Sequence, residues 1–409
     1  MGAVLERVQG PVFRPGENDF DEERSGFQTA HRHRPDLVVA ATGPQDVRAA
    51  VTYAAEHGMP VAVQATGHGL GVPIDGGVLI STRRMTGVTI DPAARTARVA
   101  AGVRWQQVVD AAARHGLGPL SGSSPSVGAV GYTLGGGLGL LARTYGWAID
   151  RVRSVEMVAP DGRLVTANPA PALFQDLRGA AGVVTAMEIG LVPVTRLYGG
   201  GLYADTAHVP ALLDAYREWT ADLPVELTTS VGLIPYPDVD VVPEPLRGRY
   251  AAHVRIAFDG PTAEGERLVA PLRAAVPLLR DTLGELAYTD SASIHNDPRQ
   301  PHAYTGTNAL LRELDPAVLR AVVELTGPQA PLPCIVQLNH LGGALRRPSA
   351  VPDAGPHRQA GYLLRVVSVL DGTGRQLPAH RRLLDAVAPW TLGSSPNFVF
   401  GPQEEHQRR

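Results

Sequence analysis

The chain has 409 residues, with 37 basic positions that are all arginine, 40 acidic ones and a formal charge of -3. The absence of lysine excludes lysine Schiff-base chemistry and a Walker A P-loop. The near-neutral charge gives no electrostatic reason to expect a nucleic acid or an anionic membrane as partner. At about 150 residues per domain, the length suggests two or three domains, or one large α/β unit with an insertion. A single cysteine, Cys334, precludes an intrachain disulfide, a thiolate zinc site and a CxxC pair. It sits in an apolar run that predicts a packed thiol rather than a nucleophile. The first residues have no basic-then-apolar leader pattern, and no run of about 18 apolar residues occurs, so a cytoplasmic bacterial protein is expected.

In chain order, 37–40 reads as a compact strand. It is followed by a helix over 46–57 that Gly58 closes, where left-handed geometry favours glycine. Residues 61–63 read as the next strand, ending in the loop 65–69, and 78–80 as a buried strand. The segments 88–90 and 96–99 form a predicted hairpin around Asp91-Pro92-Ala93-Ala94. A helix is expected over 105–115, ended by Gly116, then a glycine-dense stretch to Gly139 and a helix continuing towards Tyr145. Strands at 152–158 and 164–167 pair around Pro160-Asp161-Gly162, and 183–194 reads as one strand. Beyond Tyr198-Gly199-Gly200-Gly201 the pattern changes to longer strands (227–233, 251–258, 335–338, 362–370) with helices at 209–220 and 262–276. That predicts an α+β unit with a mainly antiparallel sheet and helices on one face. The acidic, proline-rich segment 235–245 reads as a surface loop, and its Asp238-Val239-Asp240 as a solvated turn rather than a metal pair.

Two glycine-rich loops carry the chemical signal. In Thr66-Gly67-His68-Gly69-Leu70-Gly71 the glycines permit close backbone approach to a ligand and leave the imidazole between them uncovered. A lone histidine is usually structural, and on this fragment alone that reading leads. The second stretch, 122–139, holds seven glycines in eighteen residues, with hydroxyls between them. This composition suits a pyrophosphate held by backbone amides, with Val127, Val130 and Leu134 as core anchors. Tight glycine-mediated strand packing is the competing reading. The strict G-x-G-x-x-G arrangement of a Rossmann site is missing, as are H-E-x-x-H and a G-x-S-x-G elbow around Ser124.

Taken together, the segments 34–39, 46–51, 61–69 and 131–139 resemble FAD-linked oxidases of the berberine-bridge-enzyme-like group, within the vanillyl-alcohol-oxidase superfamily. Leu173-Phe174, Leu177-Arg178-Gly179 and Val183-Val184-Thr185-Ala186 fit the end of that group's flavin domain, and Leu341-Gly342-Gly343-Ala344 resembles a motif of its substrate domain. The resemblance implies an α+β fold. A PCMH-type FAD-binding domain of two α+β subdomains would span 1–196, and an α+β substrate domain with an antiparallel sheet 197–375. A closing segment, 376–409, would return towards the FAD domain. It places FAD against Gln64, Thr66, Gly67, His68, Gly69, Ser123, Ser124, Val127, Gly128, Gly131, Tyr132, Gly135, Gly136, Gly137, Gly182 and Val184. His68 would be attached covalently to the flavin's 8α-methyl group.

Several positions depart from the family pattern. Ser124 stands where doubly attached relatives carry a cysteine, so the resemblance implies one covalent bond at most. The glycine run before Val183 is shortened to Gly179-Ala180-Ala181-Gly182, Ser395 replaces the tyrosine two residues before Asn397, and the family's closing Tyr-Asp-Pro segment is missing. The usual base for removing a substrate proton is therefore lost. Tyr362, His340 and Asn397 are the remaining candidates, with packing as the bland reading of the first two. The expected function is FAD-dependent oxidation of a small organic substrate, of secondary-metabolite (polyketide) type, with O2 as acceptor, by a monomer or homodimer. A flavin-binding but redox-neutral cyclase or isomerase, and a non-enzymatic binding protein, are the alternatives.

Overall fold

The structure, a computed structural model, describes residues 5–169, 182–348 and 357–401. The segments around Phe174 and Arg178, and the tail from residue 402, lie outside the described residues. Leu37–Ala40, Val61–Gln64 and Val78–Ser81 are short β-branched runs that pair in parallel, with Val78–Ser81 in the middle and Val12–Phe13 added antiparallel at one edge. The parallel pairing requires a crossover, which is supplied by the helix Pro44–Glu56. Gly43 and Pro44 start this helix, and Gly58, at φ +62°, turns the chain out of it. Its apolar stripe (Val47, Ala50, Val51, Ala54) closes on Val39, Val78 and Ile80.

The second sheet is antiparallel throughout, in the spatial order Val88–Asp91, Thr96–Ala100, Val183–Gly190, Val152–Val158, Leu164–Ala167. The expected hairpin turns are both present. The strand expected over 183–194 breaks at Leu191 instead, and Val192–Pro193 pairs separately with Leu117–Gly118. The helix expected to run on from the glycine stretch is also interrupted. Ala129–Leu134 and Ala142–Tyr145 are short helices, and Gly136 (φ +113°) and Gly137 (φ +76°) adopt left-handed backbone between them.

From Arg196 the chain builds one nine-stranded antiparallel sheet, whose central strands are Leu227–Pro235, Tyr250–Phe258, Ile335–His340 and Tyr362–Val369. The helices Val209–Trp219, Thr262–Ala275, Pro316–Thr326 and Gln376–Val387 cover one face and share a core with it, in which Cys334 is buried. The last two of these helices, and the strand Tyr304–Leu311, are not anticipated from the sequence. Along the strands, Ala252, Val254, Val336, Leu338, Leu364 and Val366 face the helices. The intervening His253, Arg255, Gln337, Asn339, Arg365 and Val367 face the other way, towards the two smaller sheets.

A buried arginine joins the parts. Arg143, from Ala142–Tyr145, donates through Nε to the Leu227 carbonyl (2.8 Å) and through Nη2 to the carbonyls of Leu223 (3.1 Å) and Pro224 (3.2 Å). Its Nη1 reaches the Leu341 carbonyl and lies 3.1 Å from Nε2 of His340. Nearby, Arg358 pairs with Asp150 at 2.6 Å, and the Trp147 indole donates to the Leu345 carbonyl at 3.3 Å. Replacing Arg143 with Met keeps the volume but strands several buried carbonyls, each worth about 1–3 kcal/mol. We expect Arg143→Met to lower unfolding free energy by about 3 kcal/mol or more, as measured by urea denaturation.

Candidate functional site

The polar face of the large sheet and the two glycine loops enclose a cavity of about 1490 Å3. That exceeds the roughly 300–1,000 Å3 usual for a small-molecule site and leaves room for more than one ligand. The loops meet there: Thr66 Oγ1 accepts from the Gly128 amide at 3.3 Å, and Ser126 Oγ lies 3.2 Å from His68 Nε2. Glycine is required where the segment 26–28 crosses the first loop. Gly67 has φ +68°, and a Cβ on it would fall 2.6 Å from the Gly26 Cα. At Gly69 and Gly131, in contrast, an added Cβ would meet nothing within 4 Å, so bare main chain faces open space.

His68 is held on every side. Its ring stacks on Phe27 with centroids 4.0 Å apart and planes 10° from parallel. Nδ1 lies 2.9 Å from Thr66 Oγ1, Ser126 Oγ is in turn 3.0 Å from Ser124 Oγ, and the Tyr304 hydroxyl donates to the His68 carbonyl at 2.6 Å. Burial pushes the imidazole down to about 4, with Arg104 adding to the effect and Asp297 opposing it. The ring is therefore neutral at pH 7, with one nitrogen lone pair available.

Of the sequence-predicted cofactor positions, Gln64, Thr66, Gly67, His68, Gly69, Ser123, Ser124, Val127, Gly128, Gly131, Tyr132 and Gly135 line this cavity. Gly136 and Gly137 lie behind it, against Trp147 and Ala148, where their left-handed backbone shapes the turn. Gly182, with φ +135°, packs its backbone on Val158, and Val184 is in the core under the second sheet. These four are not brought to the cavity wall.

The catalytic candidates separate as well. Asn397 reaches the site, but both ends of its amide are engaged: Oδ1 accepts from the Gly137 amide and Nδ2 donates to the Tyr132 carbonyl, each at 2.9 Å. A Cβ on Gly135 would collide with this amide at 2.7 Å, so the glycine makes room for it. Asn397 thus docks the end of the chain on the glycine helix. His340 and Tyr362 lie on the helix-covered face of the large sheet, stacked on each other at 5.3 Å, with the Tyr362 hydroxyl 2.6 Å from Thr220 Oγ1. Two-residue alternation along their strands turns them away from the cavity. Ser395 is fully buried, its backbone held by the Asn308 amide, and it supplies no substitute for a tyrosine there.

The structure adds residues that the sequence did not single out. Arg255 and Arg365 project from the large sheet, and Asp297 accepts from Ser123 Oγ at 2.5 Å. Burial alone would raise the Asp297 carboxyl, but His295, Arg255, the Ser123 hydroxyl and Arg365 hold it below the usual range, so it is ionised. His253 accepts from Arg255 Nε on Nδ1 at 3.2 Å, which fixes a neutral ring, and burial also lowers it. No motif marks these residues. The local signal the sequence offers there is the composition Asn296-Asp297-Pro298, residue types that favour an irregular connection. A wider consequence follows from the histidines that burial lowers, His68 and His380 to about 4 and His340 to about 3. Their unfolded counterparts protonate near 6.5, so the unfolded chain binds more protons below that pH and stability rises with pH through this window. The thermal midpoint should therefore fall as pH is lowered from 6.5 to 4, with a shallower slope in His380→Gln.

The cavity suits a flavin dinucleotide. Two glycine segments leave main chain open at Gly69 and Gly131. The buried Gln64 Oε1 and Tyr132 hydroxyl on its wall have no protein partner. Comparisons with known proteins agree. Residues 35–168 match the FAD binding domain family. The chain is 32% identical to (R)-6-hydroxynicotine oxidase of Paenarthrobacter nicotinovorans over 225 residues, 52% of this chain and 49% of that protein. The match thus spans about half the length of that relative. An FAD-linked oxidoreductase of Dictyostelium discoideum is 26% identical over 98% of this chain and 89% of its own length. Among solved structures, BBE-like 1 of Physcomitrella patens superposes with a TM-score of 0.81 at 20% identity, over 97% of this chain and 90% of that one. No helix among the described residues is long and apolar enough to cross a membrane. Residues 35–168 thus match an FAD-binding domain, and the chain is similar in sequence to FAD-linked oxidoreductases and in fold to a berberine-bridge-enzyme-like protein.

Proposed function

We propose that this chain is an FAD-dependent oxidase that removes two electrons from a small organic substrate and passes them to O2, with the flavin attached covalently through His68. The observation that carries this reading is His68 itself: a neutral imidazole on the wall of the cavity, stacked on Phe27 and flanked at both nitrogens by hydroxyls. The flavin would supply hydride acceptance. The chain's own residues hold and orient. Gly67 admits the crossing segment 26–28, Tyr304 fixes the His68 carbonyl, and Asn397 sets the glycine helix against the roof. With Ser124 in the cysteine's place and hydrogen-bonded to Ser126, its hydroxyl supports the His68 side of the site and offers no thiolate for a second attachment.

A redox-neutral cyclase or isomerase is the second reading, and one observation favours it. Among the described residues at the cavity, the ionised Asp297 and the lowered His295 and His253 are all poorly matched to taking a proton at neutral pH. The two readings part experimentally. Oxidation bleaches the flavin when substrate is added anaerobically and yields H2O2 in air, whereas isomerisation gives a product of unchanged mass and does neither.

His68→Ala should fold, bind FAD and release it into the supernatant on acid precipitation, whereas the parent protein keeps its colour in the pellet. Colour retained in the pellet of the variant would refute attachment at His68. Gly131→Ala should lower flavin occupancy, read as the ratio of flavin to protein absorbance, while unfolding free energy stays within about 0.5 kcal/mol, since its Cβ enters open space rather than packed protein.

A further inference from the structure

The roof of the cavity carries more positive charge than the protein neutralises. Arg255 stands on Tyr250–Phe258 and Arg365 on Tyr362–Val369, with Leu227–Pro235 and Ile335–His340 between them in the sheet. The Arg255 guanidinium leans across Gly232, on which a Cβ would fall 2.8 Å from its Nη1. Arg365 lies on the same rung as Gly232, through Gln337, and donates to Gln337 Oε1 at 3.4 Å. Gln337 in turn donates to Ser230 Oγ at 3.4 Å. The missing side chain at Gly232 thus leaves a floor between the two guanidinium groups.

Neither group is satisfied. Arg255 is 6% exposed, its Nε spends its proton on the neutral His253, and its buried Nη1 has no partner. Arg365 lies flat on the Phe398 ring, 3.9 Å from its centroid, and its buried Nε has no partner. Neither arginine forms an ion pair with a described residue. The carboxylate within electrostatic range, Asp297, is engaged by Ser123, and the two arginines repel each other at the same site. Two desolvated like charges beside one carboxylate are costly, and the protein tolerates them where a ligand supplies the missing charge. Guanidinium edges in such a setting favour a planar oxyanion, which can accept two parallel bonds.

We propose that Arg255 and Arg365 form the recognition site for an anionic oxygen group on the substrate, a carboxylate or an ionised enol or phenol, seated over Gly232. This deepens the oxidase reading and rests on it. Where that group is an ionised enol or phenol, it also meets the shortage of a matched base, because the proton has already left the reacting oxygen before binding.

The test uses isothermal titration calorimetry on the purified full-length protein, with benzoate and 4-nitrophenolate as anionic probes and benzamide and nitrobenzene as neutral counterparts. The expected result is saturable binding of at least one anion, at least tenfold tighter than its neutral counterpart and weakening as ionic strength rises. Arg365→Gln should weaken that anion at least tenfold and leave the neutral probe unchanged. Arg255→Lys, which keeps the charge but loses the fork, gives a second reading should Arg365→Gln fail to fold. Preference for benzoate assigns a carboxylate, and preference for 4-nitrophenolate an ionised hydroxyl. Equal binding of charged and neutral probes, or anion binding unchanged in both Arg365→Gln and Arg255→Lys, would overturn the proposal. Flavin content is read separately from absorbance, so loss of the oxidase reading (colourless protein that FAD does not reconstitute) is distinguishable from loss of anion binding.

Discussion

The cavity exists because its walls are held a fixed distance apart, and polar groups do the holding. Arg143 spends its donors on carbonyls of the large sheet and its flanking loops while its own backbone belongs to the other wall. A cation with several oriented donors can bridge such a seam where an apolar side chain could only fill it. Across the cavity, the Asn397 amide joins the end of the chain to the turn at Gly137 and the helix at Tyr132. Tyr304 ties the sheet to the His68 loop. Each contact satisfies backbone groups that closing the crevice would otherwise leave buried and unpaired. The seam is thus directional, and it defines the space between the walls rather than collapsing it.

Given that seam, the large sheet divides its residues into two roles. Its outer face is apolar and closed by four helices. Its inner face can be polar because a cavity, not a core, lies against it. Period-two alternation then decides which side chains can touch a ligand. It sends Arg365 to the cavity and Tyr362, three residues earlier on the same strand, to the helices. Chemical type alone would have favoured the tyrosine. Position in the pleat overrides type, which is why a tyrosine and a histidine suited to proton transfer serve here as packing and as partners of Thr220 and Arg143.

The flavin half was legible because its signals are local. Glycine runs, turn residues and the helix stop at Gly58 act within a few positions, and the Thr66–Gly71 and Gly122–Gly139 loops carry their chemistry in their own composition. What stayed hidden is what distance in sequence conceals. The strand Tyr304–Leu311 follows an irregular, proline-bearing approach, and nothing in its neighbourhood shows that Tyr304 will bond to His68. Phe27, stacked on the same ring, comes from a segment with no regular structure of its own. The helix expected to run on to Tyr145 failed for a readable reason: glycines that permit left-handed backbone interrupt a helix wherever tertiary contacts reward the turn. The buried charge of Arg255 and Arg365 carries no motif, because its meaning depends on which partners are absent.

The electrostatics of the two walls are complementary in a way that constrains the chemistry. On the loop side, burial keeps His68 neutral, so it can offer a lone pair but not a charge. On the roof side, two guanidinium groups remain cationic, Asp297 remains ionised and His253 is neutral. Arginine resists deprotonation even when buried, so the roof cannot relieve its charge by losing a proton, as a lysine would. A sequence built without lysine therefore has a rigid electrostatic roof. Any reaction beneath it proceeds in a field that favours negative charge on the bound molecule, and among the described residues the cavity's carboxylates, Asp297 and Asp371, are already engaged by Ser123 and by Thr373 and Gln376. On our proposal, such a field favours binding a substrate in its anionic form, so the roof, rather than a base of the protein, drives the ionisation.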